Sequence, residues 1–190
     1  MVKLAIFASG AGSNAAKIIE HFAGDKAVLI DLIVSNKKEA GVWGIAAAHQ
    51  IDTLLINRNS FYETADCVNQ LQSRGIDFIV LAGFLWKIPP SLIEAFPNRI
   101  INIHPALLPK YGGKGMYGNF VHEAVIAAGE KESGITIHYV DANYDEGDII
   151  FQAKCSVEAN DTPTSLAAKI HALEHAHFPI VIDNLLKKLA

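Results

Sequence analysis

The sequence predicts an α/β fold in which a mostly parallel sheet is flanked by helices, and three observations lead to this prediction. Short runs of β-branched and other apolar residues alternate with longer segments of helical periodicity. The short runs are almost continuously apolar, as is typical of strands buried on both faces. The composition, with 51% hydrophobic and 19% charged residues, is that of a globular chain and excludes intrinsic disorder. At 190 residues, the chain is expected to form a single domain over 1–190.

Strands and helices alternate over the first part of the chain, which predicts a Rossmann-like sheet with helices on both faces. The predicted strands are Val2–Ala8, Val28–Val34, Thr53–Ile56, Phe78–Leu81 and Arg99–Ile103. The predicted helices between them are Asn14–Phe22, Ala40–His49, Tyr62–Gly75 and Pro90–Ala95.

The C-terminal part of the chain follows a different pattern. Gly134–Val140 and Asp148–Val157 have strand character, and the segment between them is too short for a crossover helix, so we predict an antiparallel pair. A long C-terminal helix follows, with Thr162 as its N-cap and Pro163 at its first helical position. Glycines are concentrated in the loop Tyr111–Asn119, which indicates a mobile segment beside a site.

Charge, cysteine content and hydropathy exclude several classes of partner. The net charge is −4 and no basic surplus is visible, so we expect no nucleic-acid partner. Cys67 and Cys155 lie too far apart in sequence for a disulfide framework or a metal knuckle, which favours a reducing, cytoplasmic compartment. The apolar run Leu4–Ala8 is too short for a signal peptide, and Phe78–Trp86 is about half of a bilayer span, so we expect no membrane partner.

The first predicted strand ends in Ser9-Gly10-Ala11-Gly12-Ser13-Asn14, and a helix follows. Glycines permit a sharp turn, and the free N–H groups of a helix N-terminus bind anions, so this loop favours a phosphate site. A dinucleotide site is an alternative, because Gly10-x-Gly12-x-x-Ala15 satisfies the loose fingerprint. The second strand ends in Ser35-Asn36-Lys37-Lys38 and not in an acidic residue, which leaves open an NADP site with the lysines on a 2′-phosphate. A purely structural turn is the third interpretation.

Two further polar segments contain candidate catalytic residues. Asn102 and His104 close a predicted strand on the same side of the chain, where an amide donor and an imidazole suit a reaction that turns a carbonyl into an oxyanion. The alternative is a structural histidine beside Pro105. The acidic segment Asp141–Asp148 is either a solvated turn or the source of a carboxylate that raises the pKa of a nearby histidine.

The last predicted helix contains the sequence His171-Ala172-Leu173-Glu174-His175, which has the spacing of an inverted zinc-protease motif. Such a motif needs a third ligand well downstream, and Asp183 is the only carboxylate that follows. We therefore expect no metal, and interpret the segment as a polar helix edge near a substrate or as surface.

Taken in order, these motifs resemble the phosphoribosylglycinamide formyltransferase family, which are folate-dependent enzymes of purine synthesis. The resemblance spans nearly the whole chain and rests on the glycine loop, Leu81-Ala82-Gly83-Phe84, Asn102-Ile103-His104-Pro105-Ala106-Leu107-Leu108-Pro109, Asp145-Glu146-Gly147 and Glu174-His175. The Asn-x-His-Pro-x-Leu-Leu-Pro run is highly specific to folate formyltransferases. Methionyl-tRNA formyltransferase and formyltetrahydrofolate hydrolase share this core but carry a further domain, for which we expect no room in this chain.

The resemblance implies transfer of a formyl group from 10-formyltetrahydrofolate, a co-substrate, to the amine of 5-phosphoribosylglycinamide, with no tightly bound cofactor and no metal. The implied catalytic residues are Asn102, His104 and Asp145, with Asp145 keeping the imidazole protonated. The implied ribonucleotide ligands are Gly12, Ser13, Asn14, Ala15 and Glu174. The implied folate ligands are Leu85, Trp86, Lys87, Ile88, Asn102, Asp141 and Gly147. The expected partners are small-molecule substrates, and the expected state is a monomer or weak homodimer.

The chain departs from the family pattern in its implied folate site and in one loop. The family often has Met-Arg where this chain has Leu85-Trp86, so stacking on Trp86 is one replacement for an arginine contact to folate. Arg58 lies near a basic position that helps to bind a substrate in the family. The loop Tyr111–Asn119 is longer and richer in glycine than the common form. We also expect a cis peptide bond at Leu108–Pro109.

Overall fold

The computed structural model of the chain describes residues 1–188. A seven-stranded sheet in the order β3-β2-β1-β4-β5-β6-β7 forms its centre. The strands are β1 (Val2–Phe7), β2 (Val28–Ser35), β3 (Asp52–Leu55), β4 (Phe78–Leu81), β5 (Ile100–His104), β6 (Glu132–Tyr139) and β7 (Ile149–Ser156). The α-helices are α1 (Ser13–His21), α2 (Val42–Ala48), α3 (Asp66–Ser73), α4 (Pro90–Ala95), α5 (Asn119–Ala127) and α6 (Pro163–Leu186).

The strand directions confirm the predicted fold class. Strands β1 to β5 are parallel to one another, whereas β6 pairs antiparallel with both β5 and β7. The chain passes from β1 outward to β2 and β3, then returns to β4 and continues outward on the other side. The neighbours β1 and β4 are therefore the point at which the strand order reverses, and ligands of such sheets bind there.

Alternate residues of β1 enter two separate cores, one on each face of the sheet. Leu4 and Ile6 pack with residues of α1, α2, α5 and α6. Ala5 and Phe7 pack on the other face with residues of α3 and α4. Because the inner strands β1, β4 and β5 are covered on both faces, their residues are apolar at nearly every position, which explains the continuous apolar runs in the sequence.

The start of α6 forms as predicted. The Thr162 hydroxyl accepts a hydrogen bond from the Ser165 N–H at 3.1 Å, and the Ser165 hydroxyl accepts one from the Thr162 N–H at 2.9 Å. This reciprocal pair satisfies two N–H donors that the first turn leaves without helical acceptors. Pro163 has no backbone N–H and therefore needs no acceptor. The Leu108–Pro109 peptide bond is cis, which confirms that prediction too.

One helix prediction was wrong and one helix was missed. The segment predicted as one helix over Tyr62–Gly75 is a π-helical turn at Asn59–Glu63 followed by α3, because Thr64 adopts an extended conformation that separates them. Helix α5 was not predicted at all. Val121 and Val125 lie four residues apart and are both buried, which is a helical signal that the neighbouring glycine-rich loop obscured.

In the described part of the chain, no helix has the length and hydropathy required to cross a membrane.

Candidate active site

A cavity of about 600 Å³ opens at the reversal point of the sheet. Its walls come from the segments that follow β1 and β4, the end of β5, the glycine-rich loop, and the segment after β6. One end, which we call the glycine-loop end, is formed by Gly10–Asn14 and Glu174. A second part of the wall, which we call the aromatic end, is formed by Phe84–Ile88 and Tyr144. Asn102, His104 and Asp145, the catalytic residues predicted from the sequence, line the same cavity.

The glycine-loop end combines a helix N-terminus with a buried carboxyl group. Gly12 is the N-cap of α1 and has a φ of 82°, so the turn requires the left-handed region that glycine adopts without strain. Asn14 donates a hydrogen bond to Glu174 at 2.9 Å, which links α1 to α6. Burial raises the pKa of Glu174, and the Asn14 hydrogen bond offsets this only in part. Among the described residues, the buried Asn14 side-chain oxygen has no hydrogen-bond partner, so this end offers a ligand an unused acceptor.

Ala15 does not line the cavity, although it was predicted as a ribonucleotide ligand. Its side chain is completely buried in the core beneath α1. The short side chain allows the first turn of α1 to pack closely on the sheet, so its role in the described structure is to position Gly12–Asn14. Ser13, by contrast, is exposed and lines the cavity as predicted.

The dinucleotide alternative is not favoured by the surroundings of the glycine loop. The start of α2 lies directly against it, with the Val42 N–H donating to the Gly10 carbonyl at 3.2 Å. A Cβ at Gly41 would lie 3.1 Å from the Ala11 Cα, so little space is left between α2 and the loop. The backbone of the lysine segment after β2 is also fixed in place, because the Trp43 indole N–H donates hydrogen bonds to the Lys37 and Lys38 carbonyls. The cavity opens toward β4 and β5 instead.

Asn102 and His104 lie together in the middle of the cavity, as their spacing predicted. Asn102 is paired with His138 of β6 in the antiparallel register, and its Nδ2 lies 3.1 Å from the His138 Nε2. The His104 Nε2 lies 2.8 Å from the Tyr111 carbonyl oxygen. His138 is only 2% exposed and was missed by the sequence analysis. A histidine between Ile137 and Tyr139, near the end of the predicted strand Gly134–Val140, was the signal that could have identified it.

Asp145 faces both histidines. Its Oδ2 lies 3.6 Å from the His104 Nδ1, and its Oδ1 lies 3.6 Å from the His138 Nε2. The Gly113 N–H donates to Oδ2 at 2.9 Å, which ties the glycine-rich loop to this carboxylate. Burial raises the pKa of Asp145, but the contacts with His138 and His104 and the Gly113 N–H outweigh it, so the pKa lies below its ordinary value. The group is therefore ionised at neutral pH.

The protonation of His104 differs from the expectation that Asp145 keeps the imidazole charged. Burial lowers the pKa of His104, and the opposing effects of Asp145 and the Tyr111 carbonyl do not restore the ordinary value. The physical reason is distance and burial: the side chain is 4% exposed, and the carboxylate is too far for a direct hydrogen bond. The pKa of His104 therefore lies below its ordinary value, which favours the neutral imidazole as the acceptor of a proton.

The aromatic end is a wall of packed rings. Trp86 lies within 5.7 Å of Phe61 and 5.8 Å of Tyr62, measured between ring centroids, and Phe84 packs edge-on against Phe61. Ser9 holds the start of this segment, because its hydroxyl accepts from the Leu85 N–H at 3.0 Å. Leu85, Trp86, Lys87 and Ile88 all line the cavity. A flat apolar slot of this kind fits an aromatic heterocycle.

Two cations lie over rings at the aromatic end. The Arg58 guanidinium carbon is 5.5 Å from the centroid of the Trp86 ring, and the Lys87 Nζ is 5.2 Å from that of Tyr144. Arg58 comes from the segment after β3, far from Trp86 in sequence. Arg58, which the sequence placed near a basic substrate-binding position, therefore contacts Trp86 from another element, although it is not among the residues that line the cavity.

The remaining predicted ligands lie in and beside the loop after β6. Asp141 lines the cavity together with Tyr144 and Asp145. Gly147 does not line it. A Cβ at Gly147 would overlap the Tyr139 carbonyl oxygen, so this glycine allows the loop to return closely to the end of β6. Its role in the described structure is to bring Asp145 back over the sheet.

The histidines of α6 do not form a metal site. His171 and His175 stack with 6.3 Å between ring centroids and an angle of 13°. Within residues 1–188, no group of three or more His, Cys, Asp or Glu side chains is placed to hold a metal ion. His171 instead lines the cavity beside Glu174, and the buried His122 of α5 lines it as well.

The chain is similar in sequence to one protein family and to several known proteins. The family described as formyl transferase matches residues 2–182. A phosphoribosylglycinamide formyltransferase of Bacillus subtilis is 36% identical over 98% of this chain and 95% of its own length. The chloroplastic enzyme of that name from Arabidopsis thaliana is 44% identical over 96% of this chain. The chain spans 65% of that plant protein and 60% of a second one, from Vigna unguiculata.

Solved structures show the same fold. A phosphoribosylglycinamide formyltransferase from Bacillus halodurans is 38% identical with a TM-score of 0.88, covering 99% of this chain and 97% of that one. The corresponding protein from Anaplasma phagocytophilum is 32% identical with a TM-score of 0.90, covering 98% of this chain and 87% of that one.

Proposed function

This chain belongs to the formyl transferase family, and we propose that it transfers the formyl group of 10-formyltetrahydrofolate to the amine of 5-phosphoribosylglycinamide, forming formylglycinamide ribonucleotide. The observation that carries the proposal is the convergence of Asn102, His104 and Asp145 in one cavity, between an anion-binding helix N-terminus and an aromatic slot. Each of the two substrates then has an end of the cavity suited to its chemistry.

The ribonucleotide is proposed to bind at the glycine-loop end. Its phosphate would accept hydrogen bonds from the N–H groups at Gly12–Asn14, where the helix dipole favours negative charge. Its ribose hydroxyls would meet Glu174, whose carboxyl group is held by Asn14. With the phosphate fixed there, the glycinamide amine extends toward Asn102 and His104 in the middle of the cavity.

The folate is proposed to bind at the aromatic end, with its ring system in the slot formed by Leu85–Ile88 and the segment from Asp141. The glutamate moiety of a folate carries carboxylates, which need cations at the mouth of the slot. Arg58 over Trp86 and Lys87 over Tyr144 provide them. We propose that Arg58 replaces the arginine that the Leu85-Trp86 sequence lacks.

The chemistry follows from the middle of the cavity. The amine nitrogen attacks the formyl carbon, and the carbonyl oxygen becomes an oxyanion that accepts a hydrogen bond from the Asn102 amide. The C–N10 bond then breaks and N10 leaves with a proton. His104, 3.6 Å from the ionised Asp145, accepts the proton that the attacking amine loses and passes it to N10, so the step neither gains nor loses a proton overall. Removing an oxyanion donor of this kind costs about 3–4 kcal/mol of barrier height.

The same chemistry determines the proposed partners. Both substrates are small molecules, the folate acts as a co-substrate, and neither a tightly held cofactor nor a metal takes part. We further propose that residues 1–190 form one domain containing both ends of the site, without a nucleic-acid partner, as a monomer or weak homodimer. The free thiols Cys67 and Cys155 suit the predicted cytoplasmic location.

The direct test is to incubate the protein with 10-formyltetrahydrofolate and 5-phosphoribosylglycinamide and to follow formylglycinamide ribonucleotide by mass spectrometry. Product is expected with the wild-type protein and strongly reduced product with Asn102→Ala. Matched samples lacking either substrate should yield none.

A parallel titration with NADPH tests the alternative of an NADP-binding oxidoreductase or regulatory domain. Because α2 lies against the glycine loop, we expect no saturable binding. Saturable binding of NADPH, together with no detectable formylglycinamide ribonucleotide in the transfer assay, would overturn the proposal.

A further inference from the structure

We infer that His138 is a positioning residue for formyl transfer: in its neutral tautomer with the proton on Nδ1, it orients the Asn102 amide so that one N–H remains free for the oxyanion. This inference rests on the proposed function and extends it to a residue outside the predicted catalytic set. Its basis is a chain of hydrogen bonds in the sheet.

The first step is the tautomer. The His138 Nδ1 lies 2.8 Å from the carbonyl oxygen of Tyr139. A carbonyl oxygen only accepts hydrogen bonds, so Nδ1 must carry the proton. In a neutral ring, Nε2 then has a lone pair and no hydrogen. His138 borders the cavity but is only 2% exposed, so little of its ring is open to water.

The second step is the amide orientation. The Asn102 Nδ2 lies 3.1 Å from the His138 Nε2, and the lone pair there accepts one of its two hydrogens. An amide rotated by 180° would instead place its oxygen against that lone pair. The nearest oxygen of Asp145 is 3.6 Å from Nε2, too far to replace the amide as partner. His138 thus selects one of the two orientations of Asn102.

The third step is the consequence for the reaction. The two hydrogens of a primary amide diverge, so the one that does not meet His138 remains available to a developing oxyanion. Strand pairing fixes the arrangement, because Asn102 and His138 are directly opposite in the antiparallel register and project from the same face of the sheet. His138 touches no reacting atom in this scheme and acts only through Asn102.

Two substitutions form a matched pair for the test. In His138→Gln, the side-chain oxygen reaches about as far as Nε2 and is able to accept from Asn102. In His138→Asn, the amide reaches only to the level of Nδ1, so it keeps the bond to Tyr139 but leaves Asn102 without its acceptor. We expect His138→Asn to lower kcat by about tenfold to a hundredfold, with KM for both substrates nearly unchanged. We expect His138→Gln to restore most of the loss.

A double-mutant comparison separates positioning from a general structural role. In an Asn102→Ala background, His138→Asn should cause little further loss of kcat, because the group it positions is absent. The same factor of loss in both backgrounds would overturn the inference, as would a His138→Gln variant no more active than His138→Asn. If the loss of kcat in each variant were proportional to its loss of folding free energy, the effect would be structural, and this would also count against the inference.

A measurement on the wild-type protein needs no variant to fold. Long-range proton–nitrogen correlation of the imidazoles should show that Nδ1 of His138 is protonated and Nε2 is not. A ring protonated on Nε2 overturns the inference. A wild-type protein that does not transfer formyl groups refutes the proposed function, while this spectrum still decides the tautomer.

Discussion

Gly12→Ala is expected to destabilise the fold and to weaken ribonucleotide binding at the same time. Gly12 has a φ of 82°, and an L-residue in the left-handed region costs about 1–2 kcal/mol. A Cβ there would lie 2.8 Å from the Val42 Cγ2 and 2.9 Å from the Ile45 Cδ1. Val42 is completely buried, so its side chain has no room to move, and overpacking of this kind costs about 1–3 kcal/mol. The free energy of unfolding should therefore fall by about 2–5 kcal/mol.

Gly10→Ala is the matched control, because it lies in the same loop but has open space and no left-handed conformation. A Cβ at Gly10 would have no heavy atom within 4 Å. Its free energy of unfolding should change by less than about 1 kcal/mol. Urea denaturation followed by circular dichroism measures both values.

The kinetic consequence of Gly12→Ala is specific to one substrate. Relief of the clash with α2 shifts the first turn of α1, whose N–H groups are proposed to hold the phosphate. KM for the ribonucleotide should rise, and Gly12→Val should raise it further, whereas KM for the folate should change little. Equal stability of Gly12→Ala and Gly10→Ala would refute the packing argument. A rise confined to the folate KM would show that the two substrates are assigned to the wrong ends.

Three further predictions follow from the site. His104→Ala and Asp145→Asn should each lower kcat about a hundredfold, and the double variant should be little worse than the poorer single one; multiplied losses would show that the two residues act separately. Trp86→Ala should raise KM for the folate only, and inorganic phosphate should compete with the ribonucleotide only, as initial-rate measurements would show. Burial lowers the pKa of His122 below its ordinary value of about 6.5, so the unfolded chain binds more protons and the free energy of unfolding should fall as pH is lowered through that value. His122→Gln should reduce this fall between about pH 7.5 and pH 5.5, and equal falls in urea titrations would contradict the assignment.

The sequence was sufficient to predict those parts of the site that are local in the chain. The glycine loop precedes a helix, and the Thr162 cap begins α6. Asn102 and His104 lie two residues apart on one strand and therefore share a face. Each of these depends on residues within one turn or one strand, so period and spacing identify them. The same holds for the parallel strands, whose continuous apolar runs follow from burial on both faces.

The parts that were missed depend on which strands are neighbours. His138 lies opposite Asn102 only because β6 inserts antiparallel beside β5, and no spacing along the chain shows that pairing. Arg58 was a candidate from the sequence, but its contact with Trp86 joins the segments after β3 and β4, two strands that are not neighbours in the sheet, and no local pattern shows it. The protonation of His104 could not be read from the presence of Asp145, because burial and the distance of 3.6 Å decide it.

The register that fixes the site is determined by apolar residues that take no part in the chemistry. Ile101 and Ile103 on β5 and Ile135 and Ile137 on β6 are buried in the same core. Because side chains alternate along a strand, their burial forces Asn102, His104, Thr136 and His138 to the other face, where Asn102 meets His138 and His104 is opposite Thr136. Thr136 then donates to the Ala106 carbonyl and accepts from the Leu108 N–H, which holds the segment after β5. A slip of one residue would bury the amide and the imidazole in hydrocarbon, so the geometry of the proposed oxyanion site is stabilised by the hydrophobic core itself.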